Sequence, residues 1–292
     1  MSDSKAGERI EQVLRPWELK VSGVPVARVL PARERRTIGP VVQLERFGPD
    51  YMEPGHGYQV PPHPHRGLCT LTYPVQGEIV HRDSLGTEQL ITPGEINWVV
   101  SGRGLSHSER SPKDVVDNGG VIDGVTLCCT LPIDRIDCEP RFEHRAADEL
   151  PFTEGEGWFA RILAGAGLGV SAPTETECDL FLADVTMAAE AGFEFDPCAE
   201  ERAVFGAERE ATVDGVELEE GHMAILLPGK SVRITASQGA RVLLIGGPPL
   251  DAPRTIRGNF VTPDRAAMLR AMDDQAAGRF PEVVDDPGDP KS

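Results

Sequence analysis

Glycine and proline interrupt this chain so often, 31 and 25 times in 292 residues, that few windows are long enough for a helix. What lies between the interruptions is short and rich in β-branched and apolar residues: "VPVARVL", "PVVQLERF", "GLCTLTYPVQ", "EIVHR", "EINWVV" and "GVTLCCTL". Turn signals such as "FGPD", "SLG" and "PGE" close these runs off. This is the pattern of an all-β protein built from short strands. Strands resume after a polar stretch, Phe142–Gly157, which reads as a linker. Only Thr262–Gly278 offers a capping residue, a proline at the first turn and apolar residues at helical spacing, so a short C-terminal helix is expected there. The chain is long enough for two ordinary domains, each with its own core.

The halves echo one another. "YPVQGEIVHRDS…LITPGEINWVVSG" in the first matches "RAVFGAEREATVDG…ELEEGHMAILLPG" in the second, strand for strand and glycine for glycine. A repeat of that size implies two copies of one β-domain. The chemistry is not repeated, because the second copy has a single histidine, His222, which reads as a turn or surface residue.

Charge and composition narrow the function. With 47 acidic and 29 basic side chains the formal net charge is −18, and such a surface repels nucleic-acid backbones. A protein partner with a basic patch remains compatible with it. No apolar window approaches the roughly 18 residues of a membrane span, and the polar start "MSDSKAGERIEQ" does not resemble a secretory leader. Six cysteines without paired spacing, two of them adjacent, suit a reducing cytoplasm rather than a disulfide framework or zinc ribbon.

The chemistry concentrates in "VPPHPHRG" and "GRGLSHSERSP". Residues two apart on a strand share a face, so His63 pairs with His65 and His107 with Glu109. Two such pairs, about forty residues apart, can converge three imidazoles and a carboxylate, a set suited to a divalent transition metal. Pro64 would fix the backbone between ligands at the cost of a ladder hydrogen bond, tolerable at an edge or bulge. Spacing alone leaves chance coincidence equally open.

"HPHRGLCTLTYPVQGEIVHRDSLG" followed by "TPGEINWVVSGRGLSHSE" closely resembles the signature of the pirin family, within the cupin superfamily. Weaker similarity runs through "RFGP", "ARVLLIGGPPL" and "RGNFVTPDRAAMLRAM". The resemblance implies a bicupin: two jelly-roll-like β-barrels packed together, residues 1–145 with the metal and residues 146–262 without, then a helix and tail over residues 263–292. It implies iron, as Fe(II), held by His63, His65, His107 and Glu109, with other divalent transition metals possible. It also implies either of two roles: a quercetin 2,3-dioxygenase acting on flavonol-like substrates, or a non-enzymatic, redox-responsive regulator that binds a protein partner. In the first role Glu109 is the ligand able to take a proton and so the candidate catalytic base. A metal facing a pocket of at least about 300 Å³ would mark an enzyme. Zinc hydrolase chemistry is weaker, since no further acid/base group is assigned to the pocket.

One position departs from the family pattern: Cys69 stands where most pirins carry glutamate. In a regular strand it would share the face of His65 and point towards the metal; the plainer reading makes it core filling. Arg66, Arg82 and Arg103 are expected to form ion pairs that hold turns, Trp98 to pack in the core, His81 to be structural, and His56 to sit in a loop near the pocket mouth.

Overall fold

The computed structural model describes residues 7–288 and is almost entirely β-strand. Its contacts resolve into two compact units. One comprises Glu18–Val26, Leu44–Ala147 and Leu250–Ser292; the other comprises Met1–Trp17, Ala27–Gln43 and Asp148–Pro249. The C-terminal segment thus belongs to the unit that carries both histidine pairs.

That histidine unit is a two-sheet barrel. Its large sheet runs in the order Arg141–Arg145, Ile96–Val100, Leu68–Gln76, Gly120–Thr130, Val41–Met52, Val24–Leu30 and Trp17–Val21. The small sheet runs Gln59–His65, Leu105–Arg110, Ile79–Asp83 and Glu88–Ile91. The second unit repeats this plan. Met223–Leu226, Glu201–Glu208, Ala240–Gly247 and Phe181–Met187 are consecutive in its large sheet. Its small sheet is Ala191–Phe195, Val232–Ala236, Ala211–Val213 and Val216–Leu218. The echoed segments fall on equivalent strands, so the repeat legible in the sequence is a repeat of strand order.

Equivalence also shows where the copies diverge. The strand of the second unit that matches Gln59–His65 is Ala191–Phe195, with Phe193 and Phe195 turned into the core. Its neighbour contributes Val232 and Ile234 to the same cluster. Each such side chain contributes about 1.5–3 kcal/mol when removed from water. The space that holds imidazoles in one barrel is therefore packed hydrocarbon in the other.

Two local expectations need correction. Phe142–Gly157 is not simply a linker. Arg141–Arg145 pairs with Ile96–Val100, and Phe152–Gly155 pairs with Trp158–Ala164. Each is the end strand of its sheet, where one side faces solvent and a polar sequence is tolerated. The helix spans Arg265–Ala276, and its cap is Asp264, which accepts from the Ala267 amide at 2.8 Å. Pro263 therefore precedes the cap. A one-and-a-half-turn helix, Lys113–Asn118, is too short to show a 3.6-residue period in sequence. No helix among the described residues is long and apolar enough to cross a membrane.

The C-terminal segment is tied to the histidine strand. A hairpin, Thr255–Arg257 with Phe260–Thr262, docks where that strand ends: the Arg66 amide donates to Asn259 O at 3.1 Å, and the Val261 amide to Arg66 O at 2.9 Å. The approach is close enough that a Cβ on Gly67 (φ +69°) would lie 2.2 Å from Val261 O. Helix residues Met268 and Ala271 pack on Phe260, and Phe280 stacks on the same ring at 5.2 Å. The chain then runs to Asp286, which pairs with Arg110 through two hydrogen bonds of 2.8 and 3.0 Å. Burial works against the Asp286 carboxylate, but the Arg110 guanidinium outweighs it and holds the pKa at about 2.

Candidate metal centre

The prolines around His63 fit because Gln59–His65 is the edge strand of the small sheet. In its antiparallel register His65 lies opposite Leu105 and His63 opposite His107, while Glu109 lies opposite Val60. The first strand thus spends three residues where the second spends two, a bulge at Pro61–Pro62 that re-aims the histidines. On the other side His107 lies opposite Asp83 and Glu109 opposite His81. Directly paired residues share a face, so one surface gathers His63, His65, His107, Glu109, His81 and Asp83.

Three imidazoles converge. Ring centroids are 4.9 Å apart for His63 and His65, 4.5 Å for His63 and His107, and 4.7 Å for His65 and His107. His65 Nε2 and His107 Nε2 approach to 3.1 Å. His63 is half-buried, and its Nδ1 sits 2.9 Å from Pro61 O, so Nδ1–H donates there and Nε2 keeps its lone pair. Burial, and then the charges of His63 and His81, push the His65 pKa well below the usual imidazole value. Burial and the charges of His63, His65 and His81 do the same for His107. Neutral, converging imidazoles are the form in which histidine binds metal, so this donor set fits a transition-metal ion.

Glu109 is placed differently. Its carboxylate groups with His81 and His107 rather than with His63 and His65. Across the barrel Thr72 donates to its Oε1 at 2.6 Å, and Thr70 Oγ1 lies 3.5 Å from His65 Nδ1. Among the described residues both ligand clusters, which share His107, lie in this unit.

The sequence reading missed what stands behind His107. His81 is fully buried, stacks on Phe142 at 4.9 Å, and places Nε2 3.2 Å from Asp83 Oδ2. Its Nδ1 lies 3.5 Å from His107 Nδ1. Burial opposes the Asp83 charge, but hydrogen bonds from His81 and from the Thr87 and Leu85 amides lower its pKa below the ordinary carboxylate value. An ionised Asp83 accepts His81 Nε2–H, which makes His81 Nδ1 the acceptor for His107 Nδ1–H. The lone pair of His107 is then on Nε2, facing His65. A carboxylate–imidazole chain of this kind fixes tautomer and orientation of a metal ligand. "His-Arg-Asp" carried the same i, i+2 signal that exposed the other two pairs.

Cys69 does not face the site. Gly67, at positive φ, ends one strand before Leu68–Gln76 begins, and the alternation restarts. Thr70 and Thr72 point to His65 and Glu109, so Cys69, fully buried, points the other way. Trp98 is likewise fully buried. The arginines form ion pairs: Arg66 with Asp137, Arg82 with Glu88, Arg103 with Glu139. His56 is exposed.

Two recesses flank His63. One, of about 330 Å³, is lined by His63, Pro64, Arg257, Asn259, Met272 and Gln275 among others. The second, of about 370 Å³, is lined by His63, Ser106, Gln275, Phe280, Glu282 and Val283 with neighbouring prolines. His56 lines neither. Apart from the site strands, the walls come from residues 257–283.

A duplicated β-barrel with a cluster of three imidazoles in one copy, a donor set that fits a metal ion, defines a bicupin. The Pirin family matches residues 23–125 and the Pirin C-terminal cupin domain matches residues 182–281. A pirin-like protein of Caulobacter vibrioides is 39% identical over 87% of this chain and 89% of its own length. The chain belongs to the pirin family. The crystal structure of a quercetin 2,3-dioxygenase from Acinetobacter baumannii matches with a TM-score of 0.91 and 31% identity, covering 99% of this chain and 96% of that one. A bacterial pirin from Escherichia coli, solved in complex with nickel(II), shares the fold at TM-score 0.65 and 18% identity, over 82% of this chain and 99% of its own.

Proposed function

We propose that this pirin is a metal-dependent dioxygenase of flavonol-like aromatic substrates, of the quercetin 2,3-dioxygenase type, working with iron(II) held by His63, His65 and His107 with Glu109 beside them. The observation that carries the reading is the position of His63. It is the half-buried member of the cluster, and it borders two recesses of about 330 and 370 Å³, the size range of small-molecule sites. Similarity to the Acinetobacter enzyme supports the same class.

Iron(II) in this donor set supplies Lewis acidity towards an acidic hydroxyl and redox chemistry with dioxygen. The chain's own residues do the rest. His65 and His107 are kept neutral by burial and by the neighbouring histidines His63 and His81. Glu109, oriented by the Thr72 hydroxyl, takes the proton of the substrate hydroxyl. Phe280, Pro281 and Val283 offer apolar surface to an aromatic ring beside His63. Six cysteines, none in a disulfide, suit a reducing, cytoplasmic setting.

The test is oxygen consumption by iron-loaded protein with quercetin, alongside Glu109→Gln. Turnover that Glu109→Gln reduces about 100-fold or more, without loss of bound iron, supports the reading. No turnover of any flavonol by the loaded protein overturns it.

A further inference from the structure

Arginines around the histidine barrel are largely spoken for. Arg82, Arg103, Arg110 and Arg254 pair with Glu88, Glu139, Asp286 and Asp251, as expected in a chain of net charge −18. Arg257 differs. It is exposed, its Nη1 rests 2.9 Å from Met272 Sδ, and no carboxylate pairs with it among the described residues. It also lines the same recess as His63.

We infer that this recess is a subsite for an anionic group of the substrate, a carboxylate, sulfate, sulfonate or ionised phenol, received by Arg257 with Asn259 and Gln275. The inference deepens the dioxygenase reading and rests on it for the word substrate. Three observations converge. The hairpin that carries Arg257 is fixed against the histidine strand by the backbone bonds between Arg66, Asn259 and Val261, so the backbone that presents the guanidinium is anchored beside His63. Guanidinium suits oxyanions because its planar fork donates two parallel hydrogen bonds. The second recess has the opposite character: Phe280, Pro281 and Val283 are apolar, and Glu282 repels an anion. Gln275 borders both. A two-ring substrate straddling His63 is thereby oriented, charged or acidic end to Arg257 and apolar ring to Phe280.

The experiment is equilibrium binding to the full-length, metal-loaded protein without oxygen, comparing quercetin with a ring-sulfonated quercetin. Wild type is expected to bind the sulfonate about fivefold to tenfold more tightly, the strength of one charge-assisted hydrogen-bonded contact near solvent. Arg257→Gln should abolish that preference, weakening the sulfonate more than quercetin; Arg257→Lys should keep part of it. Arg257 is exposed, so both variants should retain the circular dichroism of the parent. Equal affinities in wild type, or an intact preference in Arg257→Gln, overturn the subsite. Oxygen uptake is read separately. If neither flavonol is turned over while the preference exists and vanishes in Arg257→Gln, the subsite stands and the dioxygenase reading falls.

Discussion

Replacing Asp83 with asparagine tests the chain behind His107 with almost no change in shape. Asp83 Oδ1 accepts from the Leu85 and Thr87 amides at 2.9 and 3.0 Å, while Oδ2 faces His81 at 3.2 Å. In Asp83→Asn the amide oxygen must stay on the two backbone donors, because turning it would leave both unsatisfied at about 1–3 kcal/mol each. The new NH₂ then faces His81 Nε2 and donates to it. His81 must carry its proton on Nδ1, His107 Nδ1 becomes the acceptor, and the His107 proton moves to Nε2, the atom a metal needs. Reversing that arrangement costs about one buried hydrogen bond, so metal affinity should fall about 10- to 100-fold. The metal-free protein keeps its bond count, and its stability should change by less than about 1 kcal/mol. Chelator competition gives the affinity, and imidazole ¹⁵N shifts of the metal-free protein give the tautomer. Unchanged affinity with His107 still protonated at Nδ1 would refute the reasoning.

Other outcomes follow from the same geometry. Asp286→Asn should loosen the strap over residues 279–288: its lowered pKa corresponds, after allowance for solvent screening, to about 1–2 kcal/mol, and amide exchange of that segment should quicken at neutral pH. Because the folded pKa lies below the unfolded one, this stabilisation is complete above about pH 5 and disappears as pH falls towards about 2, where wild type and variant should exchange alike. Cys69→Ser puts a hydroxyl into the core and should cost about 1–3 kcal/mol, visible as a lower Tm, with metal content unchanged; loss of metal would return Cys69 to the site.

The histidine pairs were legible because an edge strand keeps its period of two even when prolines occupy it, and the duplication was legible because each copy repeats its turns in order. Of the two readings of Cys69, core filling agrees with its buried position; the strand-parity reading fails because periodicity holds only within a strand, and the break at Gly67 packs against a hairpin nearly 200 residues away. The polar edge strands, Arg141–Arg145 and Phe152–Gly155, looked like linker because burial on one side only does not require apolar residues. Phe142, inside that stretch, proves to stack on His81. The Asp83–His81–His107 chain carried the right spacing, but its third member comes from another strand, and only the register between strands brings it within reach.

The central claim is that one barrel, and only one, is a metal cradle. Metal content of protein purified without chelators, measured for wild type and His107→Ala, tests it most directly. One ion per chain, iron above other metals, falling to a small fraction in His107→Ala, is the predicted result. Two ions per chain, or full occupancy in His107→Ala, would contradict it.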